Sequence, residues 1–320
     1  MNGMDEHPHR SNGRYRNRYS SAAHGPSMDL LKFLIEMRRG ARHKPDLPQA
    51  SPDVAWLKAN RSVDALTWIG HSSFLLQWQG LNILTDPHLT ARASPLKLAG
   101  PKRYQLPALD FADLPKIDVV VVSHNHYDHL DRDTVKRLAR EHAPQFFVSL
   151  GLKVWFGREG IDNVTELDWW QDAQRGDLRV AAVPVQHFSG RTASDRNKTL
   201  WCGFVLEMAG RRVFFAGDTG YSKDFADIGE RFAPMDLALI PIGAYEPRSF
   251  MRPVHVDPEE AVKIHRDIGS RQSVAMHWGT FRLTLEPLDD PPKRLAAALE
   301  REGIAQEKFW VLKHGETRRF

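Results

Sequence analysis

The feature that most restricts how this chain can fold is a nine-residue stretch, SHNHYDHLD. It runs from Ser123 to Asp131, directly behind the apolar run Ile117-Asp118-Val119-Val120-Val121-Val122. Four side chains able to bind a metal (His124, His126, Asp128 and His129) fall within six residues. On a helix or a straight strand the four would not all point the same way; on a loop leaving the end of a buried strand they can converge on one point. Imidazole nitrogen and carboxylate oxygen, with no thiolate, suit zinc at a hydrolytic centre.

Three distant positions repeat the arrangement. Val180-Ala181-Ala182-Val183-Pro184-Val185-Gln186 delivers His187, Arg212-Val213-Phe214-Phe215-Ala216-Gly217 delivers Asp218, and Ser273-Val274-Ala275-Met276 delivers His277. Side chains at strand ends are held by rigid elements and still face a cleft. One tetrahedral zinc with an open position takes three protein ligands. Five histidines and two aspartates therefore fit two ions about 3.5–4 Å apart that share a carboxylate.

Strand and helix signals alternate around these positions. Phe74, Leu76 and Trp78 alternate with Leu75, Gln77 and Gln79, Gly80 turns the chain, and Leu81–Thr85 returns it as a hairpin. Asp133–Glu141 reads as a helix. Asp257-Pro258-Glu259-Glu260 opens another, with Asp257 as N-cap, Pro258 in the first helical position and Glu260 closing a capping box. Mixed strands and helices without a repeat predict a layered α/β body over residues 61–320.

The net charge of +4 sits at the front of the chain, because residues 1–60 hold ten Lys/Arg against six Asp/Glu and the remainder balances at 34 of each. Residues 1–27 are polar and aperiodic and are expected to be disordered. A short amphipathic helix is expected near 28–39, with Leu30/Leu34, Leu31/Ile35 and Phe33/Met37 at i, i+4 and a basic cluster running to Lys44. Three fates are open to it: an anionic membrane surface, the body of the protein, or a second subunit in a homodimer. The arginine arm (Arg10, Arg14, Arg16, Arg18) is compatible with a solvated tail, with anionic lipid or, least, with nucleic acid, since the balanced body carries no nucleic-acid module. Pro45, Pro48 and Pro52 read as a linker. A single cysteine, Cys202, excludes a disulfide framework and reads as a buried strand residue. With no apolar leader and no run long enough to span a bilayer, a cytoplasmic location is expected, with peripheral contact on the inner membrane face.

These motifs resemble the metallo-β-lactamase superfamily, and within it the branch of N-acyl-phosphatidylethanolamine-hydrolysing phospholipases D. The resemblance runs from about Gly70 to the C-terminus. It includes Thr85-Asp86-Pro87, Arg92-Ala93-Ser94-Pro95, Gly100-Pro101-Lys102-Arg103, SHNHYDHLD, Glu166-Leu167-Asp168-Trp169-Trp170 and Phe214–Tyr221, then IPIGAYEP from Ile240, HVDPEEAV from His255, HWGTF from His277 and LKHGE from Leu312. It implies a four-layer αββα sandwich, two mixed β-sheets flanked by helices. It also implies two Zn2+ per chain: His124, His126 and His187 on one, Asp128, His129 and His277 on the other, Asp218 between them. Asp218 and His255 would be catalytic, and Tyr127 and His255 would contact a phospholipid headgroup. The stretches Phe188–Thr192 and Pro253–Val256 depart from the animal members of that branch and are the expected lining of an acyl or headgroup pocket. His71, in Gly70-His71-Ser72-Ser73-Phe74, belongs to a pattern of this branch without an assigned role.

The expected function is zinc-dependent phosphodiester hydrolysis of the phospholipase D type, with a hydroxide held between the ions attacking phosphorus. An N-acyl-phosphatidylethanolamine would give phosphatidic acid and an N-acylethanolamine. The rival is a hydrolase of the same fold acting on a soluble ester, a lactone or a sugar phosphate. A redox di-iron protein ranks lower because His126 stands where a carboxylate would favour iron, and a metal-stabilised binding protein ranks last.

Overall fold

The computed structural model describes residues 9–19, 35–37 and 45–320. A first sheet is ordered β16-β3-β4-β5-β6-β7-β8. Its strands are β3 (Ala65–Gly70), β4 (Ser73–Trp78), β5 (Leu81–Thr85), β6 (Val119–Val122), β7 (Gln145–Ser149), β8 (Val164–Leu167) and β16 (Thr317–Arg319). A second sheet is ordered β15-β14-β13-β12-β11-β10-β9. It contains β9 (Asp172–Arg175), β10 (Leu178–Val183), β11 (Gly203–Met208), β12 (Arg211–Phe215), β13 (Leu237–Pro241), β14 (Ser273–Met276) and β15 (Phe309–Trp310). The pairs within β3–β4–β5 and β9–β10–β11–β12 are antiparallel, while β5–β8 and β12–β15 pair in parallel. Both sheets are therefore mixed, as expected.

The alternation of side chains across a strand builds the layers. Val119 and Val121 join Trp68, Phe74, Phe204 and Phe214 in the core between the sheets. Val120 and Val122 join the opposite face, where Val135 and Leu138 of helix α2 (Arg132–His142) and Phe156 of α3 (Lys153–Arg158) cover them. Four consecutive valines serve because this strand is covered on both sides and β-branched side chains suit the pleat. Helices α4 (Asp224–Phe232), α6 (Pro258–Asp267) and α7 (Asp290–Arg301) cover the second sheet with Phe225, Ile264 and Leu295. The layers are helix, sheet, sheet, helix.

Several local expectations need correction. Residues 9–19, expected to lack structure, form a hairpin (β1, Arg10–Ser11; β2, Arg14–Tyr15) docked on the body, where Tyr15 N–H donates to Asn197 O at 2.8 Å. Polar pairings order it, and these leave no periodic signal in a sequence. The proline-rich segment after residue 44 is stapled down as well: Leu47 is buried, and Ala50 and Pro48 hydrogen-bond the main chain of His314. Helix α1 (Val54–Ala59) buries Leu57, so the packed body begins before residue 61. Of the helix expected near 28–39 only 35–37 are described, and these are helical; the rest lies outside the described residues. Asp257 caps α6 by accepting from Glu260 N–H at 2.8 Å, but the Glu260 carboxylate turns away from the cap to Arg248 at 2.6 Å and Arg252 at 3.3 Å, the first residue and the C-cap of α5 (Arg248–Met251). Guanidinium groups outcompete a single main-chain N–H for it.

Candidate metal centre

Strands β6, β10, β12 and β14 end at one edge of the sandwich, and the loops leaving them carry His124–His129, His187, Asp218 and His277. The edges are drawn together by Cys202 N–H, which donates to Ser123 O at 3.1 Å. Gly217 permits the close approach. Its φ is +61°, and a Cβ there would lie 2.7 Å from Ser123 Cβ, so no other residue could bring Asp218 against the His124 loop without a shift.

All seven expected ligands come together, in two groups. In the first, His126 Nδ1 lies 2.8 Å from His124 Nε2 and 3.2 Å from His187 Nε2, with Asp218 Oδ2 3.8 Å from His187 Nε2. In the second, His129 Nε2 is 3.0 Å from Asp218 Oδ2 and 3.4 Å from Asp128 Oδ2, and His277 Nε2 is 3.1 Å from Asp218 Oδ1 and 3.5 Å from Asp128 Oδ2. Asp218 faces both groups, one oxygen toward His277 and the other toward His124, His187 and His129.

Hydrogen bonds behind the rings fix which nitrogen faces inward. Ser123 Oγ–H donates to Asp86 Oδ2 at 2.6 Å, so its oxygen accepts from His124 Nδ1–H at 2.9 Å and leaves His124 Nε2 unprotonated. His129 Nδ1–H donates to Asp86 Oδ2 at 2.6 Å, and His187 Nδ1–H to Val254 O at 2.8 Å. When neutral, each ring thus presents a lone pair to the same small volume, the arrangement by which outer hydrogen bonds prepare histidines for a metal. Among the described residues, His129 Nε2, His277 Nε2 and Asp218 Oδ1 are buried with no aligned hydrogen bond. Inward lone pairs and a buried carboxylate oxygen without a hydrogen bond suit a cation between them.

The electrostatics agree. Burial drives the imidazoles of the first group toward neutrality: His126 is pushed down to about 4, His187 to about 3, and His124 well below the ordinary range. Burial opposes charge at His129 and His277 too, but there the Asp218 and Asp128 carboxylates win, raising His277 to about 9 and His129 well above the histidine range. The buried Asp218 and the partly exposed Asp128 carboxylates call for positive charge at this spot, which divalent ions would supply.

Sequence reasoning missed the supports. Asp86 is fully buried, accepts from His129, Ser123 Oγ and Ser123 N–H (2.7 Å), and sits at φ 31°. Thr85-Asp86-Pro87 is part of the family resemblance, but a carboxylate 43 residues from its histidine has no local signature. His71 Nε2 lies 3.0 Å from Asp128 Oδ2, so His71 joins the second group; burial keeps it neutral, and it orients Asp128. His71 (φ 56°) and His277 (φ 61°) both hold left-handed backbone, costly for non-glycine residues and typical of constrained functional positions. Arg191 pins the metal loop, its Nη1 donating at 2.8 Å to Asn125 O and to Leu130 O while its guanidinium lies 3.9 Å from the Tyr127 ring centre.

Tyr127 and His255 take different places. His255 is buried, its Nδ1 4.0 Å from Asp218 Oδ2, and burial pushes it down to about 3. Tyr127 points away from the donors: its hydroxyl donates to Arg191 O at 3.1 Å, and its ring helps wall a cavity of about 580 Å3 beside the metal loop. Arg92, Leu96, Lys97, Trp155 and Arg191 line the same cavity. His126, Tyr127 and Asp128 are the partly exposed members of the loop, and of these Tyr127 lines this cavity.

An αββα sandwich whose facing strand ends gather two His/Asp groups around a shared aspartate defines the class of metallo-β-lactamase-fold proteins with a metal-capable centre. Residues 81–278 match the β-lactamase superfamily domain, and the chain belongs to that superfamily. It is 43% identical over 276 residues to an uncharacterized protein of Mycobacterium tuberculosis, covering 85% of this chain and 73% of that one. It is 42% identical over 264 residues to N-acyl-phosphatidylethanolamine-hydrolyzing phospholipase D 1 of Caenorhabditis elegans, covering 78% of this chain and 74% of the relative. Among solved structures, Igni18, a metallo hydrolase of Ignicoccus hospitalis, superposes with a TM-score of 0.62 at 26% identity over 81% of this chain and 99% of its own.

Proposed function

We propose that the protein is a dinuclear zinc phosphodiester hydrolase of the phospholipase D type, cleaving N-acyl-phosphatidylethanolamine to phosphatidic acid and N-acylethanolamine. The observation that carries the reading is the 42% identity with the nematode phospholipase D, taken with a centre whose donors divide into two groups sharing Asp218. His124, His126 and His187 would hold one ion, Asp128, His129 and His277 the other, and Asp218 both. Bound there, two divalent ions supply Lewis acidity toward phosphoryl oxygens and make water acidic enough to attack near neutral pH.

The chain's own groups do the positioning. Asp86, Ser123 and the Val254 carbonyl fix the ring tautomers, and His71 holds Asp128. His255, neutral and buried with an unpartnered Nδ1, is placed to hydrogen-bond a substrate oxygen beside Asp218. The cavity walled by Tyr127 combines the Arg92, Lys97 and Arg191 cations with the apolar Leu96 and Trp155, a lining suited to a phosphate that carries lipid chains.

Among the described residues no helix is long and apolar enough to cross a membrane. Contact with lipid from one side is favoured by the cavity's lip, where Leu96 is 61% and Leu98 93% exposed beside Lys97 and Lys102. The segment 30–44 would add to this contact. The test is to compare turnover of N-acyl-phosphatidylethanolamine in mixed micelles with turnover of soluble esters, lactones and sugar phosphates. Dependence of rate on lipid surface concentration supports the reading; rapid turnover of a soluble substrate alone gives the site to the rival hydrolase.

A further inference from the structure

We infer that residues 9–19 form a strap that belongs to the metal centre, with Asn17 as a positioning residue for His187. The inference rests on the metal-centre reading and not on the identity of the substrate. His187 lies beyond the end of β10, where the sheet no longer pairs its main chain. One side chain replaces the missing strand: Asn17 Nδ2 donates to His187 O at 3.0 Å, and Asn17 Oδ1 accepts from His187 N–H at 3.1 Å. The same oxygen accepts from Trp201 Nε1 at 3.0 Å, which ties the contact to the core. His187 therefore has its ring set by Val254 O and its backbone set by Asn17, and it is 1% exposed.

The flanking residues anchor the strap on both sides of the centre. Tyr15, itself buried, exchanges hydrogen bonds with Asn197, on the loop that follows His187. Arg18 Nη1 lies 2.9 Å from both Asp224 Oδ1 and Asp227 Oδ2 on α4, the helix that follows Asp218. Asp224 is 1% exposed, so this cation meets a buried carboxylate rather than a solvated one. Three consecutive attachments thus clip together the chain behind His187, His187 itself and the helix behind Asp218. The groups Asp128, His129 and His277 receive no contact from Asn17. Losing the amide should loosen the first metal position and spare the second, because supports of this kind typically set metal affinity by about 10–100-fold.

The experiment uses the full chain, stripped of metal and titrated with Zn2+ against a chromophoric chelator. The variants are Asn17→Ala and Asn17→Asp, the latter keeping the acceptor for His187 N–H but losing the donor to His187 O. For Asn17→Ala the expected result is one zinc position weakened about 10–100-fold and the other unchanged, with Asn17→Asp between this variant and the parent. In a His187→Ala background, which already lacks the first position, Asn17→Ala should have no further effect on the remaining zinc, as a double-mutant cycle requires of a residue acting through His187. Two undisturbed zinc positions in Asn17→Ala overturn the inference, and so does an equal weakening of both. A parent protein that binds no zinc overturns the metal-centre reading beneath it.

Discussion

Replacing Asp86 by asparagine should weaken both ion positions, the one beside His129 directly and the one beside His124 through Ser123. The Asp86 carboxylate accepts three buried hydrogen bonds, from His129 Nδ1 and Ser123 Oγ at 2.6 Å and from Ser123 N–H at 2.7 Å. An asparagine of the same shape has one oxygen. Facing Ser123 N–H, it turns its NH2 on two donors; flipped, it turns its NH2 on the third. In the first orientation His129 can escape only by moving its proton to Nε2, which removes the inward lone pair. The expected loss of affinity is about 10–100-fold, or about 1.4–2.8 kcal/mol, at the position beside His129, with a smaller loss at the one beside His124. One or two unmet buried donors, at about 1–3 kcal/mol each, lower stability by about 1–6 kcal/mol. That is a large share of a typical domain's about 5–15 kcal/mol, but it leaves a folded protein to measure. The assay is zinc content after dialysis against a graded chelator, with circular dichroism as the check on folding. A folded Asp86→Asn protein that keeps both ions at parental affinity would refute the orienting role.

Asp218→Asn and His187→Ala should each abolish turnover with the far-ultraviolet spectrum unchanged, and full activity in either would remove the site assignment. Adding Zn2+ to the metal-free protein at pH 7 should release protons, because Asp218 and Asp128 hold His277 charged up to about 9 and His129 beyond the ordinary range, while a ligand must be neutral. The release should shrink as the starting pH rises through about 9, and an indicator titration showing none at pH 7 contradicts it. Leu98→Asp should weaken binding to anionic vesicles by about tenfold or more, from the 1.5–3 kcal/mol or so that burying a leucine gives, with activity on a short-chain monomeric substrate retained. Equal vesicle cosedimentation of variant and parent would take the lip out of the interface.

What could be read in the sequence was what repeats locally. The valine run of β6 and the HxHxDH loop announced themselves because strand and ligands are contiguous. His187, Asp218 and His277 were legible because each follows its own apolar strand. Asp86 and His71 reach the centre through tertiary contacts across 43 and 57 residues, and nothing near them in the chain shows it. Residues 9–19 misled for a related reason. Disorder was expected from a lack of apolar periodicity, but Asn17 and Arg18 are ordered by the main chain of His187 and by the buried Asp224 carboxylate, far along the chain. The capping role of Asp257 was local and held, whereas Glu260 was drawn off by arginines that no capping rule includes.

The most direct test of the whole account is hydrolysis of N-acyl-phosphatidylethanolamine in 18O-labelled water by protein whose zinc has been counted. The account predicts about two zinc per chain, release of N-acylethanolamine, and the label in the phosphate of phosphatidic acid, as attack at phosphorus requires. Label in the N-acylethanolamine, or no release by protein carrying both ions, would contradict it.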